Sequence, residues 1–240
     1  MLEQKIQELQ QRIDNSNRIV FFGGAGVSTE SGIPDFRSVD GLYRQKFDLP
    51  PETILSHSYF LRHPEEFYRF YREKLVWPDA QPNPAHRKLA ELEAAGKLLA
   101  VITQNIDGLH QMAGSRTVWE LHGSTLRNYC MRCHTRYTKE ELLSQPGVPR
   151  CSCGGIIRPD VVLYEEPLDS ETIEGAVRAL SEADLVIVGG TSLVVYPAAG
   201  LLDYTDAPVV LINKSATAFD SRAALVIDGA IGEVLSQITV

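Results

Sequence analysis

Six short apolar runs, each followed by a glycine or polar cluster, constrain the fold of this chain most strongly. The runs are rich in Val, Ile, Leu and Phe, and the clusters that follow them read GGAG, QNID, HG, GGTS, NKS and DGAI. Continuous apolar runs separated by helices are typical of a parallel sheet that is covered on both faces. Ligands of such sheets bind beyond the carboxyl ends of the strands, so the six clusters predict one shared site. Turn chemistry explains their Gly and Asn residues, but it does not call for Gln104, Asp107 or His122.

The first cluster lies within RIVFFGGAGVSTESGIPDFR, which runs from Arg18 to Arg37. A buried strand that feeds a glycine turn at a helix start is a known way to bind phosphate, because glycine lets the backbone approach the ligand. The match to the dinucleotide fingerprint is incomplete, since Thr29 stands where a third glycine is expected and no clear second strand ends in an acid about 20 residues later. Taken alone, the stretch also fits a tight turn with no ligand.

Four cysteines form two close pairs. Cys130 and Cys133 are followed, after 17 intervening residues, by Cys151 and Cys153. Paired cysteines that bracket a short segment are typical of a structural zinc site, in which four thiolates leave no open coordination position. Because the second pair has one intervening residue instead of two, His134 remains a conceivable substitute ligand, and four unrelated reduced thiols remain the alternative. Zinc would hold residues 124–158 folded, since this segment has few apolar residues of its own.

Composition and charge exclude several classes of protein. At 240 residues the chain can form one large domain with a small satellite, and it has a net charge of −8 and no long basic run. Nucleic-acid binding is therefore disfavoured, because phosphate contacts need clustered Lys and Arg. No apolar run approaches the length of a membrane span, and the N-terminal MLEQKIQELQQRI has the apolar stripe of an amphipathic helix instead of the pattern of a signal peptide. We expect a cytoplasmic protein whose cysteines are reduced or bind metal.

Helix-start and helix-stop signals place the remaining elements. The predicted helices are Leu2–Asn15, 64–77, Ala85–Ala95, Ser170–Ala183, a short helix after Pro197, and Gly232–Ile238. Residues 38–60 are predicted to be an irregular loop, because Gly41, Pro50 and Pro51 interrupt any periodic pattern. A loop of that length in a compact domain is expected to be functional or mobile.

Together these features resemble the sirtuins, the NAD-dependent protein deacylases. The motifs GAGVSTESGIPDFR, QNID, HG, the paired cysteines, GTSLVVYPA and INKS occur in the family's order and cover nearly the whole chain. The resemblance implies an α/β fold, in which a large domain with a Rossmann-like parallel sheet carries a small domain. The large domain would comprise residues 1–40, 85–123 and 160–240. The small domain would combine a helical insert with the cofactor loop (41–84) and a zinc-binding module (124–159).

The resemblance also implies an NAD site. Phe36 would shield the bond between nicotinamide and ribose, Arg37 would lie by the phosphates, and Ile106 would lie against the nicotinamide ring. Asn105 and Asp107 would position the nicotinamide end, while Ile231 would contact adenine through its backbone. The full set of implied cofactor contacts is Gly24, Ala25, Gly26, Thr29, Asp35, Phe36, Arg37, Gln104, Asn105, Ile106, Asp107, His122, Gly190, Thr191, Ser192, Asn213, Lys214 and Ile231.

The implied reaction transfers an acetyl group from lysine to ADP-ribose, with release of nicotinamide. His122 would be the general base, assisted by Asn105 and Asp107, since the ordinary pKa of histidine lies near neutrality. The segment Val161, Val162 and Leu163 would bind the substrate peptide by strand addition. A mono-ADP-ribosyltransferase or an NAD glycohydrolase that uses the same pocket is the alternative. A non-enzymatic NAD or ADP-ribose sensor is disfavoured, because binding alone does not need these three polar residues.

Expected partners are acetyl-lysine peptides or proteins, with no nucleic acid and no membrane, and we expect a monomer. Sirtuins that prefer acidic acyl groups carry a Tyr and an Arg three residues apart in the helical insert. Tyr68 matches the first of these residues, but Tyr71 occupies the position of the second. We therefore predict a preference for acetyl or other neutral acyl groups.

Overall fold

The computed structural model describes residues 2–36, 41 and 49–240, and its largest element is a six-stranded parallel sheet. The strands in chain order are β1 (Ile19–Gly23), β2 (Leu98–Thr103), β3 (Val118–Glu120), β4 (Gly123–Cys130), β5 (Arg136–Thr138), β6 (Ile157–Val161), β7 (Leu185–Gly189), β8 (Val209–Asn213) and β9 (Leu225–Asp228). The order across the large sheet is β3-β2-β1-β7-β8-β9, and all its neighbouring strands pair in parallel. This is the predicted Rossmann-like arrangement, and the predicted fold class is confirmed.

Helices cover the sheet and build a second unit beside it. The α-helices are α1 (Leu2–Asp14), α2 (Pro51–Ile54), α3 (His57–Arg62), α4 (Pro64–Lys74), α5 (Pro84–Ala94), α6 (Leu109–Ala113), α7 (Lys139–Leu143), α8 (Ser170–Glu182) and α9 (Ile231–Leu235). Turns of 3₁₀ helix occupy Ala25–Ser31, Ala198–Tyr204 and Asp220–Arg222. Among the described residues, no helix combines the length and the apolar character that crossing a membrane requires.

The apolar runs are continuous because the strands are buried on both faces. Along β1, Ile19 and Phe21 pack into one core with residues of α1, α5 and α9. Val20 and Phe22 pack into a second core with α8 and the 3₁₀ helix that follows β7. A strand with helices on both sides has no polar face, so it lacks the alternation of a half-exposed strand.

The second unit is built around a three-stranded antiparallel sheet of order β5-β4-β6. A third core joins helices α2–α4 to this sheet, and its members include Phe67, Tyr68, Cys130 and Leu142. The two chain segments that the small domain was predicted to combine therefore share one core. We propose that segments 41–84 and 124–159 form the small domain, as predicted, although Leu163 of the predicted large domain also belongs to this core.

Two sequence-based predictions of local structure were wrong. Part of the segment 38–60 is helical, because α2 and α3 begin at Pro51 and His57. Proline is favoured in the first turn of a helix, and the side chain of Ser56 caps α3 by accepting a hydrogen bond from the amide of Tyr59. Residues 38–40 and 42–48 of the segment lie outside the described residues. The C-terminal helix is α9, which begins one residue earlier than predicted and ends at Leu235 instead of Ile238.

Candidate active site and metal cluster

The glycine turn after β1 lies where the strand order of the large sheet reverses. Between β1 and β7, the amide of Gly24 donates to Gly189 O at 3.3 Å, and the amide of Gly26 donates to Gly190 O at 2.7 Å. A Cβ atom at residue 26 would lie 2.7 Å from the Cα atom of Gly190, so no larger residue fits there without a shift of the backbone. Such a reversal opens the crevice in which sheets of this kind bind their ligands.

Polar side chains from several strand ends meet at this crevice. The Gln104 side chain after β2 donates to Thr191 Oγ1 after β7 at 3.2 Å. The side chain of Asn213, at the end of β8, donates to the carbonyl of Thr191 at 3.0 Å. The structure thus brings together the clusters that the sequence predicts to form one site.

Asn105 and Asp107 are joined through Ser28, a residue that the sequence analysis did not single out. Asn105 Nδ2 donates to Ser28 Oγ at 3.0 Å, and Ser28 Oγ donates to Asp107 Oδ2 at 2.7 Å. Burial raises the pKa of Asp107, although hydrogen bonds from Ser28 and from the amide of Leu109 act in the opposite direction. Ser28 lies within the GAGVST motif, but its link to two residues almost 80 positions later depends on the tertiary fold.

His122 follows β3 and lies against the backbone of the residue that precedes Asn105. Its Nδ1 is 2.9 Å from the carbonyl oxygen of Gln104. A carbonyl only accepts hydrogen bonds, so Nδ1 carries the proton and, in the neutral ring, Nε2 is the unprotonated nitrogen. Burial lowers the pKa of His122, while the bond to Gln104 opposes that effect. The neutral ring therefore offers Nε2 as a proton acceptor at neutral pH.

The other implied cofactor residues have different surroundings. Thr29 Oγ1 donates to the carbonyl of Gly26 at 3.0 Å and braces the turn. Ile231 is buried at the start of α9, close to Gly189. Phe36 is partly buried and packs against the third core. Further members are half-buried (Ala25, Asp35 and Ile106) or exposed (Ser192 and Lys214). Arg37 lies outside the described residues.

Glu30 is a second residue that the sequence analysis missed. Its carboxylate accepts a hydrogen bond from the amide of Gly232 at 2.7 Å, which ties the first turn to the start of α9. The sequence separation of 202 residues explains why no local pattern could reveal this contact.

The segment 161–163, which the resemblance implies binds the peptide, lies next to His122. The amide of Val162 donates to the carbonyl of His122 at 3.0 Å. Val161 ends β6, where it pairs with Gly123. The backbone after β6 is therefore held directly against the residue that is predicted to be the base.

The four cysteine sulfur atoms form a cluster, all within 4.8 Å of one another. Cys130 and Cys153 are 3.5 Å apart, as are Cys133 and Cys151. Tetrahedral zinc with Zn–S bonds of about 2.3 Å places sulfur atoms about 3.8 Å apart. The donor set and the spacing therefore fit one structural zinc ion, as predicted. His134 is exposed and is not part of the cluster.

This geometry defines an α/β protein with a candidate ligand site at the switch point of its parallel sheet and a separate metal cluster. A match to the Sir2 family covers residues 24–197. The chain belongs to the Sir2 family.

Two related proteins align with almost the whole length of this chain. An NAD-dependent protein deacetylase of Clostridium perfringens (strain 13 / Type A) is 60% identical over 242 residues, with 99% of each chain covered. The protein of the same name from Staphylococcus aureus (strain Mu50 / ATCC 700699) is 47% identical over 238 residues, with 98% of each chain covered.

Two solved structures show the same fold. A Sir2 structure with a deacetylated p53 peptide and 3′-O-acetyl ADP ribose has a TM-score of 0.89 and 41% identity, and covers 96% of this chain and 95% of its own. A complex of Sir2, p53 peptide and NAD+ has a TM-score of 0.85 and 42% identity, with the same coverage.

Proposed function

We propose that this protein is an NAD-dependent protein-lysine deacetylase. It releases nicotinamide from NAD and, with the uptake of one water molecule, transfers the acetyl group of acetyl-lysine to ADP-ribose, which yields O-acetyl-ADP-ribose and free lysine. The single observation that carries the proposal is the hydrogen bond from His122 Nδ1 to the carbonyl of Gln104, which leaves Nε2 as the proton acceptor of the neutral ring and holds the ring against the residue that precedes Asn105. The related proteins described above are all named as deacetylases or Sir2 proteins, and none supports the ADP-ribosyltransferase alternative.

Each polar group has a distinct part in this chemistry. NAD, when bound, supplies the ribose carbon that becomes electrophilic as nicotinamide leaves. His122 accepts the proton of a ribose hydroxyl at Nε2, which makes that hydroxyl a nucleophile toward the acetyl carbon. Asn105 and Asp107 orient the nicotinamide end, and their bonds to Ser28 fix both side chains before NAD arrives.

The remaining contacts bind the two substrates. The glycine turn lies at the switch point of the sheet, where residues without a side chain let the phosphates approach the backbone closely. The segment 161–163 adds the substrate peptide as a strand next to the base. Zinc is structural, because four thiolates fill its coordination sphere and leave no position for a substrate.

The fate of ADP-ribose tests this function against its alternative. When NAD labelled in the ADP-ribose part is incubated with an acetyl-lysine peptide, we expect the label in an acetyl ester, with one nicotinamide released per lysine freed. Separation of the products by chromatography and mass spectrometry measures both quantities. Label that is attached to protein, or free ADP-ribose formed without deacetylation, would contradict the proposal.

The acyl preference follows from the aromatic residues of α4. Tyr68 and Tyr71 are both buried in the third core, and the Tyr68 hydroxyl donates to the carbonyl of Ile157. Arg72, on the same helix, donates to the carbonyls of Gln145 and Gly147 at 2.8 and 2.6 Å, which turns its charge toward the loop after α7.

We therefore expect kcat/KM to be at least about tenfold lower for succinyl-lysine than for acetyl-lysine peptides, because Tyr71 stands where sirtuins that prefer acidic acyl groups carry the pairing arginine. A butyryl peptide, which is longer but neutral, separates the effect of charge from that of size. Equal turnover of succinyl and acetyl peptides would refute this prediction.

We also propose that the protein acts as a monomer in the cytoplasm, without a nucleic-acid or membrane partner. The net charge of −8 supports the absence of nucleic-acid and anionic membrane partners, because an acidic surface repels phosphate groups.

A further inference from the structure

A buried ion pair lies directly behind the segment 161–163. Arg158 Nη1 bonds Glu166 Oε1 at 2.7 Å, and Arg158 Nη2 bonds Glu166 Oε2 at 3.0 Å. The side chains are 8% and 17% exposed, so water screens the pair poorly. Two parallel bonds fix the relative orientation of the two groups as well as their distance.

The same pair holds the backbone of the segment on both sides of Val162. Arg158 Nη2 donates to the carbonyl of Val161 at 2.8 Å, and the amide of Leu163 donates to Glu166 Oε2 at 2.9 Å. Val162 itself donates to the carbonyl of His122 at 3.0 Å. Three successive residues are thus tied down, two of them by the ion pair and one by the residue that we propose as the base.

Glu166 also reaches the helical unit that packs beside the segment. His57 Nδ1, on α3, lies 2.6 Å from Glu166 Oε1. The guanidinium carbon of Arg158 lies 5.6 Å from the centroid of the Phe60 ring and 5.7 Å from that of Tyr129. The carboxylate therefore joins β6, α3 and the segment 161–163 at one point.

Glu166 stays ionised in this position. Burial raises its pKa, but hydrogen bonds from Arg158, Leu163 and His57 outweigh that effect and bring the pKa to about 2. The ion pair is consequently intact over the whole working range of pH.

We propose that Arg158 and Glu166 are positioning residues for the substrate peptide. They hold the segment 161–163 in a fixed register against His122, so that the peptide adds to a strand that is already ordered. Ordering such a strand before binding improves affinity by lowering the entropy lost on association. The proposal rests on the deacetylase function proposed above, and it assigns the pair to peptide binding and not to NAD binding.

The first test is Glu166→Gln, which keeps the shape of the side chain and removes its charge. We expect KM for an acetyl-lysine peptide to rise roughly tenfold, with KM for NAD changed less than about twofold. Fluorescence anisotropy of a labelled acetyl peptide should show the same loss without any turnover. Glu165→Gln is the matched control, because this neighbouring carboxylate is exposed and bonds Ser58 on α3 instead of the ion pair. It should leave peptide binding unchanged.

Glu166→Gln leaves Arg158 buried without its charged partner, which can destabilise the fold. A second variant separates this effect on stability from the effect on peptide binding. Arg158→Met combined with Glu166→Leu removes both charges, and such apolar replacement of a buried pair is often tolerated. We expect this double variant to keep its zinc and its melting temperature, yet to show the same raised peptide KM as Glu166→Gln.

Wild-type peptide KM in the double variant would overturn the proposal, and so would equal rises of the peptide and NAD KM values. If the deacetylase function itself were wrong, the wild-type protein would release no lysine from the acetyl peptide. This result is distinct from the two outcomes that would overturn the positioning role of the ion pair.

Discussion

Replacing His122 with alanine is expected to lower kcat for deacetylation by about 10²–10⁴-fold, the usual contribution of a positioned general base. The ring is held by the carbonyl of Gln104, the residue before Asn105, and Nε2 is the unprotonated nitrogen of its neutral form. Steady-state release of lysine from an acetyl peptide measures the effect. Zinc content should stay at the wild-type value, because His122 is not among the clustered cysteine ligands. Retained turnover would contradict the assignment.

The pH profile tests the same residue independently. A general base works only when it is unprotonated, so activity is lost as pH falls through its pKa. Because burial lowers the pKa of His122 below its ordinary value near 6.5, the acid limb of kcat should lie below about pH 6.5. The limb should disappear from the residual activity of His122→Ala.

His63→Ala is the control, since this histidine is exposed at the start of α4. It should leave both kcat and the acid limb unchanged. An acid limb that persists unaltered in His122→Ala would assign the titration to another group.

Removing the zinc ion is expected to unfold the antiparallel sheet and to abolish deacetylation. Structural zinc sites contribute about 10–16 kcal/mol of apparent binding free energy, which equals or exceeds the total stability of a typical domain. Cys130 and Cys151 belong to the third core together with Ile157 and Leu163, so the loss should spread into the segment next to His122. The matching variant is Cys130→Ala. Metal analysis, hydrogen exchange over residues 124–158 and turnover measure the three consequences.

His134→Ala is the matched control for the metal cluster. This histidine is exposed and is not among the clustered ligands, so the variant should retain one zinc ion per chain and full activity. Less than one zinc per wild-type chain under non-chelating conditions would contradict the structural zinc site. Loss of zinc from His134→Ala would instead identify His134 as a zinc ligand.

The sheet and its shared edge were predictable because each strand carries its own signal. An apolar run such as Ile19–Phe22 followed by glycine marks both the strand and the end at which a ligand binds. The contacts that hold the site together were not predictable in this way. Ser28 and Glu30 act on residues 79 and 202 positions away, and the pairing of Arg158 with Glu166 depends on how the chain folds back after β6. Such contacts arise from tertiary packing and leave no local pattern.

The helices α2 and α3 show a second limit of local patterns. Pro50 and Pro51 break periodicity, yet proline also starts helices, and the choice between the two depends on the packing of α3 into the third core.

The cysteine cluster was predictable because coordination chemistry fixes the ligand type and spacing. His134 could be excluded only by the folded structure, in which four cysteine sulfur atoms cluster without it.

The hydrogen bond that sets the tautomer of His122 has a consequence for mutational tolerance. Its acceptor is the backbone carbonyl of Gln104, which every amino acid possesses. A substitution at residue 104 removes the side-chain bond to Thr191 but leaves the acceptor for Nδ1 in place. Histidines oriented by a carboxylate lose that partner through one mutation. In this protein, substitutions of the side chains around the crevice can change contacts with the ligand. They leave the backbone acceptor for Nδ1 in place, so Nε2 of His122 remains the proton acceptor.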